Sequence, residues 1–412
     1  MESDARKHVV VLGTGFAAFS LARSLRSRHA RLTIISPRNH FLFTPLLPST
    51  TVGTIEFRSI IEPVRKACPH AEYLHASCIG ILPKRKTIRC VGALDDVPFD
   101  LYYDVLVIAV GAINSTYGVP GVERHAMFLR ELMDARQIRQ RIIERLEQAG
   151  RPGMKEEEKQ KLLHFVVVGG GPTGVEFAAE MHDFIKEDLE EYYRDLIPYI
   201  RITLLEAGAQ ILNTFDAALG AYTLRQFSRQ GIEVRTKSPV VRVEKDRVVL
   251  RDGTRITFGV LVWSTGIAPA PLVRKLSLAK DKANRLVTDV YLRVKGEADI
   301  YAAGDCMVTE SGAYPATAQV AQQEGKYLAG ALRRVLSGRQ AKPFRYRNLG
   351  MLAYVGAGRA LADLATVKGR GFAAWLFWRS VYITRLVSVK NKVLVVFDWF
   401  KAFLFGRDIS KF

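Results

Sequence analysis

The stretch "HFVVVGGGPTGVEFAAEM" at residues 164–181 joins an apolar run to three glycines and then to an alanine-rich segment. This order predicts a buried β-strand, a tight turn and the start of an α-helix. Gly169, Gly171 and Gly174 have the spacing in which the first glycine makes the turn, the second admits phosphate to the backbone and the third packs helix against strand. We therefore predict a dinucleotide-binding motif with the pyrophosphate at the helix N-terminus.

A second stretch, "KHVVVLGTGFAAFSLARSL" at residues 7–25, has the same plan. Gly13 and Gly15 occupy the first two glycine positions, and Ala18 occupies the third, where close packing tolerates alanine. One such match is weak, because a strand-to-helix turn can carry glycines without any ligand. Two matches in one chain are much harder to dismiss.

A further repeat indicates duplication of a whole unit. "VLVIAVGAINST" at 105–116 resembles "VLVWSTGIAPAP" at 260–271, and each apolar run breaks at a glycine, Gly111 or Gly266. Nearly the same number of residues separates Gly13 from Gly111 as separates Gly169 from Gly266. The sequence therefore predicts an α/β fold with two Rossmann-like dinucleotide-binding domains.

The two motifs differ where a ribose would bind. "RITLLEAG" at 201–208 ends in Glu206, a carboxylate that accepts hydrogen bonds from both ribose hydroxyls and repels a 2′-phosphate, which favours NADH over NADPH. The first unit has Ser36 and Arg38 in "RLTIISPRNHF" at this place. Its dinucleotide is then held differently, or the motif is empty.

A later strand-like run, "ADIYAAGDC" at 298–306, ends in Gly304 and Asp305. An aspartate at a strand tip can hydrogen-bond the hydroxyls of a cofactor, and the alternative is a helix N-cap. Cys306 has no partner cysteine near it in the sequence. No metal site is expected, because Cys68, His70, His75 and Cys78 lack the spacing of a zinc clamp.

The composition favours an anionic surface as partner. The chain of 412 residues has 60 Lys+Arg against 41 Asp+Glu, a formal charge of +19, which suits phospholipid or nucleic acid. The basic residues are spread along the chain and no nucleic-acid motif stands out, so no nucleic acid is expected. "MESDARK" at the N-terminus leaves no room for a signal peptide, so the chain is not targeted or a presequence is missing.

The C-terminal segment 371–412 is rich in aromatic and basic residues, but no charge-free run in it approaches the length of a spanning helix. An apolar stripe at helical spacing and three tryptophans suited to a headgroup boundary predict a helix pair lying in the membrane interface. A helical cap on the core or a dimer contact is the alternative. The predicted membrane residues are Trp375, Trp378, Val393, Val396, Phe397, Trp399, Phe400 and Leu404.

With these motifs in place, the chain resembles the two-dinucleotide-binding flavoproteins related to glutathione reductase, with the second unit inserted in the first. Within that group it is similar to the type II (alternative, non-proton-pumping) NADH:quinone oxidoreductases, especially the mitochondrial type of fungi, plants and protists. The resemblance covers nearly the whole chain. It rests on "ISPRNHFLFTPLLPSTTVGTIEFRSIIEPV" at 35–64, "VVGGGPTGVEFAAEM" at 167–181, "ATAQVAQQEGKYLA" at 316–329 and "DWFKAFLFGRD" at 398–408.

The resemblance implies a residue set for each ligand. Non-covalent FAD would contact Gly13, Gly15, Phe16, Ala17, Ala18, Ser36, Pro37, Arg38, Thr44, Pro45, Leu46, Val110, Gly111, Gly304, Asp305 and Gln319. NADH would contact Gly169, Gly171, Pro172, Thr173, Gly174, Glu176, Glu206 and Gly266. Quinone would contact Gln319, Gln322 and Gln323, although relatives often have histidine in place of Gln322. The implied catalytic residues are Glu176, Gln319 and Gln323.

The implied reaction is hydride transfer from NADH to flavin N5, followed by two-electron reduction of a ubiquinone-type acceptor. No protein nucleophile is needed for it, and the cysteine pair of disulfide reductases is absent where this chain has "FLFTPLLPS". The alternatives are a sulfide:quinone oxidoreductase and a basic flavoprotein similar to apoptosis-inducing factor.

The expected organisation has five segments. They are an FAD-binding domain over 1–125 and 286–340, a connecting helix over 126–160, an NADH-binding domain over 161–285 and a membrane-anchoring region over 341–412. A homodimer through the C-terminal region is expected. The expected location is the mitochondrial inner membrane as a peripheral protein, with the cytoplasmic face of a bacterial membrane as the alternative.

Overall fold

The apolar runs before the two glycine-rich turns form central strands of two sheets in the computed structural model, which describes residues 6–410. Residues 1–5, on which the prediction about a targeting segment partly rests, and residues 411–412 lie outside this range. The chain divides into two units. The first comprises residues up to 42, 61–113 and 267–348, and the second comprises 43–60, 114–266 and 349 onward.

The strands follow the chain in this order: β1 Lys7–Leu12, β2 Ala30–Ser36, β3 His40–Leu42, β4 Ile61–Pro63, β5 Glu72–Leu82, β6 Thr87–Gly92, β7 Pro98–Tyr102, β8 Val105–Ile108, β9 Ala112–Asn114, β10 Met127–Phe128, β11 His164–Val168, β12 Arg201–Leu205, β13 Ile232–Arg235, β14 Val240–Val243, β15 Arg247–Leu250, β16 Arg255–Thr257, β17 Val260–Trp263, β18 Ile267–Pro269, β19 Leu286–Thr288, β20 Ile300–Ala302, β21 Met307–Thr309, β22 Met351–Tyr354, β23 Ala360–Asp363 and β24 Lys368–Gly371.

The α-helices are α1 Phe16–Ser24, α2 Leu47–Thr50, α3 Val64–Ala67, α4 Val122–His125, α5 Leu132–Ala149, α6 Glu156–Leu162, α7 Pro172–Phe184, α8 Glu190–Tyr192, α9 Ala217–Arg229, α10 Pro271–Lys275, α11 Ala318–Leu336, α12 Phe372–Arg385 and α13 Val389–Phe405. A π-helical segment, Ile185–Leu189, continues α7, and short 3-10 turns connect other elements.

The first unit is built on a seven-stranded sheet in the order β20-β8-β1-β2-β5-β6-β7. The strands from β20 to β5 run parallel, whereas β5, β6 and β7 form an antiparallel meander. Val9, Val10 and Val11 of β1 are fully buried, because parallel strands covered on both faces are apolar on both sides. The first glycine-rich turn lies at the carboxyl end of this central strand.

The second unit repeats the parallel part of this arrangement. Its five-stranded sheet has the order β10-β17-β11-β12-β13, and every neighbouring pair is parallel. In the first unit β1 lies between β2 and β8. In the second unit β11 lies in the same way between β12 and β17. The predicted α/β fold with two Rossmann-type domains, the second inserted in the first, is therefore confirmed. The exact limits of the five predicted segments stay a prediction.

The two turns also share their backbone conformation. Gly13 has φ 109° and Gly169 has φ 117°, values that side chains rarely adopt. A Cβ atom on Gly13 would lie 2.4 Å from the carbonyl oxygen of Ala109, and one on Gly169 would lie 2.6 Å from that of Ser264. Glycine is thus required at both positions by the conformation and by the close approach of the neighbouring strand end.

Helix α1 packs against α11 within the first unit. Gly325 makes the close approach possible, since a Cβ atom there would lie 2.1 Å from the carbonyl oxygen of Ala17. Gly330, five residues further along α11, has nothing within 4 Å of the same position. Helix packing therefore requires glycine at position 325 but not at position 330.

Helix α7 carries buried acids that face the other segments of the second unit. Glu180 accepts hydrogen bonds from the hydroxyls of Ser49 (2.6 Å) and Thr54 (2.7 Å). Arg407 donates from Nε to Thr54 Oγ1 (2.9 Å) and from Nη1 to Asp188 Oδ2 (2.6 Å). These bonds tie the loop before β4 and the C-terminal segment to one helix.

Helix α13 buries two polar side chains beside Val395 and Trp399 and exposes an apolar stripe on its opposite face. Asn391 is buried and donates from Nδ2 to the carbonyl of Ser59 (2.7 Å), while buried Asp398 accepts from the N–H of Glu56 (3.0 Å). On the opposite face the predicted stripe is exposed: Val393 61%, Val396 47%, Phe397 58%, Phe400 56% and Leu404 51%. This inversion is unusual for a helix on a water-soluble surface.

The expectation that three tryptophans lie at the surface is wrong for two of them. Trp378 is 3% exposed and Trp399 is 7% exposed, because they pack on each other and Trp378 also stacks on Tyr354. Trp375 is half-buried beneath the Arg379 guanidinium, which lies 3.9 Å from its ring centre. Aromatic spacing alone did not distinguish an inward tryptophan from an outward one.

Within residues 6–410, none of the helices combines the length and the apolar character that crossing a membrane requires.

The two glycines of α11 provide a matched test of the packing argument. Gly325→Ala should lower the free energy of unfolding by about 1–3 kcal/mol, because the added methyl group pushes α11 away from the α1 backbone. Gly330→Ala should raise it by about 0.5–1 kcal/mol, because alanine favours the helix and meets no neighbour. Denaturant unfolding of both variants measures the difference, and equal effects would contradict the proposed contact.

Candidate functional site

The first glycine-rich turn leaves an anion-binding helix end. Helix α1 begins at Phe16 without a side-chain N-cap, and a Cβ atom on Gly15 would have nothing within 4 Å. The first N–H groups of the helix are then available to a phosphate, which the partial positive charge of the helix end favours. Val110 lies beside this turn, since its Cα is 3.4 Å from the Cβ position of Gly13.

Ser36 explains how the turn is supported without an acidic residue. Its Oγ accepts a hydrogen bond from the N–H of Arg38 (3.1 Å) and lies 3.2 Å from the hydroxyl of Thr14, which donates to the carbonyl of Arg38 (3.1 Å). The segment after β2 is thereby fixed against the glycine-rich turn. Sequence reasoning missed Thr14, because the residue between the two glycines carries no constraint in the motif.

Gly304 lies next to the start of α1, with its Cβ position 3.7 Å from the Cβ of Ala17. The Gly304 N–H donates to Glu324 (2.6 Å), a buried acid on α11. Burial, with the neighbouring Asp305 carboxylate, raises the pKa of Glu324 to about 7. The first unit therefore brings together the predicted FAD residues that follow β1, β2, β8 and β20. It also adds Glu324, which the sequence prediction missed although helical spacing places this residue on the buried face of α11.

These observations fit a bound FAD in the first unit. An uncapped helix end next to open space over Gly15 suits the pyrophosphate, and the Gly304–Asp305 turn lies beside it. Thr44, Pro45 and Leu46 belong to the second unit, where they form a short 3-10 turn. Their contact with the flavin stays a prediction.

The second glycine-rich turn has a carboxylate built into it. At the end of β12, Glu206 accepts hydrogen bonds from the backbone N–H groups of Gly170 (2.7 Å) and Gly208 (2.5 Å). Helix α7 begins at Pro172, and a Cβ atom on Gly171 would meet nothing within 4 Å. The arrangement places an acid beside a phosphate-binding turn, as a ribose site requires. Gly170, which holds the acid in place, was not predicted.

Glu176 lies one turn into α7 and is buried, with 6% of its surface exposed. Its carboxylate accepts a hydrogen bond from the N–H of Tyr354 (3.1 Å). Burial is the main reason that the pKa of Glu176 rises to about 8, and the nearby Glu180 carboxylate adds to the shift. The shift favours the protonated form of this carboxyl group near neutral pH.

Two further buried acids follow Glu176 on the same face of α7, and sequence reasoning missed both. Burial raises the pKa of Glu180. Asp183 accepts hydrogen bonds from the Tyr354 hydroxyl (2.5 Å) and the Ala357 N–H (2.9 Å). The spacing of four and seven residues from Glu176 was the available signal, but it equally fits a solvent-exposed acidic face.

The three glutamines proposed for quinone lie on α11 in the first unit. Gln323 has a structural role there, because its amide donates to the carbonyl of Arg347 (2.8 Å) and accepts from the Arg347 N–H (3.0 Å). Gln319 and Gln322 are half-buried. The contact of these glutamines with a quinone stays a prediction.

Cys306 is poorly suited to redox chemistry with sulfide. Its side chain is completely buried, and Sγ donates to the carbonyls of Ile108 (3.4 Å) and Ala303 (3.3 Å). Burial raises the pKa of the Cys306 thiol to about 12, so the reactive thiolate is suppressed. This geometry weighs against the sulfide:quinone oxidoreductase alternative.

Comparison with known proteins agrees with this arrangement. The family model of the pyridine nucleotide-disulphide oxidoreductases matches residues 7–325, and that of the NDH2 C-terminal domain matches residues 348–408. A structure of NDH2 from Plasmodium falciparum in complex with NADH superposes with a TM-score of 0.95 at 28% identity, covering 98% of this chain and 100% of that one.

Curated relatives have similar coverage. A probable NADH dehydrogenase of Dictyostelium discoideum is 45% identical, over 98% of this chain and 91% of its own length. A mitochondrial internal alternative NAD(P)H-ubiquinone oxidoreductase A1 of Solanum tuberosum is 41% identical, over 100% of this chain and 89% of its own length. The chain therefore belongs to the pyridine nucleotide-disulphide oxidoreductase family, in the branch of type II NADH dehydrogenases that carry the NDH2 C-terminal domain.

Proposed function

We propose that this protein is a type II NADH:quinone oxidoreductase, which oxidises NADH and reduces a ubiquinone-type acceptor by two electrons without pumping protons. The observation that carries the proposal is the pair of glycine-rich turns on equivalent sheets, only one of which has a ribose-binding acid. The acid suits the ribose of a nicotinamide dinucleotide, and the turn without an acid is assigned to the flavin. The match to the NDH2 C-terminal domain and the names of the relatives support quinone as acceptor.

Bound FAD supplies the redox chemistry, since it accepts a hydride and returns two electrons to an acceptor. The protein's residues hold and orient the ligands. The N–H groups at the start of α1 would hold the FAD pyrophosphate, and Gly304 and Asp305 would lie at its polyol. At the second turn, Gly171 and the start of α7 bind the NADH pyrophosphate.

The experiment that tests the function is anaerobic mixing of the purified holoprotein with NADH, followed by a short-chain quinone, while the flavin absorbance is recorded. We expect bleaching by NADH and recovery on addition of quinone. Sulfide replaces NADH in the control and should not bleach the flavin. A flavin that NADH does not bleach would overturn the proposal.

Glu206 sets the preference for NADH. Its carboxylate is held by the N–H groups of Gly170 and Gly208 beside the turn, where it would accept hydrogen bonds from the ribose and repel a 2′-phosphate. Glu206→Gln should lower the ratio of kcat/KM for NADH over NADPH by roughly tenfold or more, since about 1.4 kcal/mol of discrimination corresponds to a factor of ten. An unchanged ratio, measured with the same short-chain quinone, would show that another residue selects the nucleotide.

We propose that Glu176 holds a proton that the reduction of quinone consumes. Because its pKa is about 8, its protonated fraction falls as the pH rises through that value. Turnover at saturating NADH should therefore decline above about pH 8. Glu176→Gln should lose this decline and lower kcat by roughly 100-fold, the smaller end of what proton transfer contributes.

Glu180→Gln is the matched control, four residues away on the same helix. Its amide oxygen still accepts a hydrogen bond from Ser49 or Thr54, so the alkaline decline should remain, shifted to lower pH because the Glu180 carboxylate no longer raises the Glu176 pKa. The same pH profile for the wild-type protein and Glu176→Gln would refute the assignment.

The exposed apolar face of α13 is proposed to bind a lipid bilayer, in a protein attached peripherally to the mitochondrial inner membrane. The support is the inverted helix, with Asn391 and Asp398 inside and Phe397 and Phe400 outside, together with the mitochondrial names of several relatives. A lipid-soluble acceptor also favours this position. A homodimer through the same region is proposed as well.

Phe397→Asp with Phe400→Asp should abolish sedimentation with phospholipid vesicles but preserve NADH oxidation by a water-soluble quinone. The control is Leu94→Asp with Val97→Asp, which changes two exposed apolar side chains of the first unit, at 88% and 56% exposure against 58% and 56% for Phe397 and Phe400. Vesicle binding that survives in the α13 variant would exclude this face. A change of mass in light scattering, without a change in vesicle binding, would assign the face to the dimer instead.

A further inference from the structure

The second half of α11 borders a cationic cavity that the proposed reaction does not use. The cavity has a volume of about 580 Å³. Its lining residues are Lys326, Tyr327, Gly330, Ala331, Arg333, Arg334, Ser337, Arg339 and Lys342. Five of the nine are basic and none is acidic.

One wall of the cavity is a face of α11 turned away from the core of the first unit. The helix buries Glu324, Gly325, Leu328 and Leu332. Lys326, Gly330, Arg333 and Ser337 follow one another at intervals of three or four residues on the other side. Because Gly330 has nothing within 4 Å of its Cβ position, it opens the floor of the cavity.

The other wall is the segment after the helix, which is fastened back along it. The Arg339 N–H donates to the carbonyl of Arg334 (2.8 Å), and the Arg334 Nε donates to that of Gln340 (2.7 Å). The Tyr327 hydroxyl donates to the carbonyl of Lys342 (2.7 Å). These three bonds fix the backbone that carries Arg339 and Lys342 against the helix that carries Arg333.

The five cations have no carboxylate partner among residues 6–410. Several other surface cations of the first unit are paired, for example Arg285 with Asp281 and Lys295 with Glu310. Cations in the last turn of a helix favour the helix dipole, which accounts for Arg333 and Arg334 but not for Lys326, Arg339 and Lys342. Positive charges held together around one cavity repel each other unless an anion neutralises them.

We propose that this cavity binds a phosphate-bearing anion. Arginine guanidinium and lysine ammonium groups are the common protein donors to phosphate oxygens. The volume of the cavity accommodates a diphosphate or a phospholipid headgroup. The site is separate from both glycine-rich turns in sequence and does not depend on the proposed reaction. A soluble phosphate and a lipid headgroup share the recognition chemistry, and the experiment distinguishes them.

Two variants remove different properties of the site. Arg333→Gln, Arg339→Gln and Lys342→Gln together remove three charges but keep Arg334, which holds the returning segment. Gly330→Leu keeps every charge and fills the cavity. The matched control is Lys84→Gln, Lys275→Gln and Lys282→Gln, which removes three exposed lysines elsewhere in the first unit. All variants should retain their flavin and their NADH:quinone turnover.

Binding is measured in two arms with the full-length holoprotein. The first is calorimetric titration with inorganic pyrophosphate, with NAD⁺ saturating so that the second glycine-rich turn is blocked. The second is sedimentation with vesicles of phosphatidylcholine alone or of phosphatidylcholine with phosphatidylglycerol. We expect the triple variant and Gly330→Leu to weaken binding at least tenfold in one arm, relative to the control variant.

A loss confined to pyrophosphate assigns a soluble anion, and a loss confined to the anionic vesicles assigns a lipid headgroup. The proposal is overturned if the triple variant behaves as the lysine control in both arms. It is also overturned if Gly330→Leu binds normally, because the cavity would then be irrelevant and only net charge would matter. Gly330→Leu alone decides the question if the triple variant does not fold.

Discussion

The close approach of two strand ends at each glycine-rich turn is the constraint on which the rest of the structure depends. At Gly13 and Gly169 the chain leaves a central strand with a positive φ and passes within contact of the neighbouring strand's carbonyl. This geometry starts the following helix directly beside the sheet, with its first N–H groups free of a side-chain cap. A pyrophosphate can then bind to backbone alone, so the surrounding side chains are left to decide which dinucleotide binds.

The two units use that freedom differently. In the second unit a carboxylate, Glu206, is held by backbone N–H groups beside the turn and selects a ribose. In the first unit Ser36 and Thr14 close the loop by neutral hydrogen bonds. The two turns of the duplicated fold thus differ by a few side chains at one strand end.

The second unit places uncommon groups around α7 and α13. Buried acids on α7 and on its π-helical continuation bind the loop before β4, the strand β22 and the C-terminal Arg407, so several distant segments depend on one helical stretch. Breaking such a buried pair by removing one partner leaves a charge without compensation, at a cost of about 3–5 kcal/mol. Helix α13 is anchored to the same unit by its polar residues, and its apolar face is consequently turned to the outside. Fold stability and the proposed membrane face therefore have the same structural origin.

The sequence by itself determined the two dinucleotide units, the acid at Glu206 and the apolar stripe of α13. These features are local, since glycine spacing, strand hydrophobicity and helical periodicity each act within about twenty residues. Tertiary structure decided which way amphipathic residues face: it buried Trp378 and Trp399, gave Gln323 a backbone partner and placed Glu180 and Asp183 in the interior. It also folded residues 338–342 back over α11 and so assembled the cationic cavity. These contacts join segments that are far apart in the chain, so neither composition nor local residue spacing predicts them.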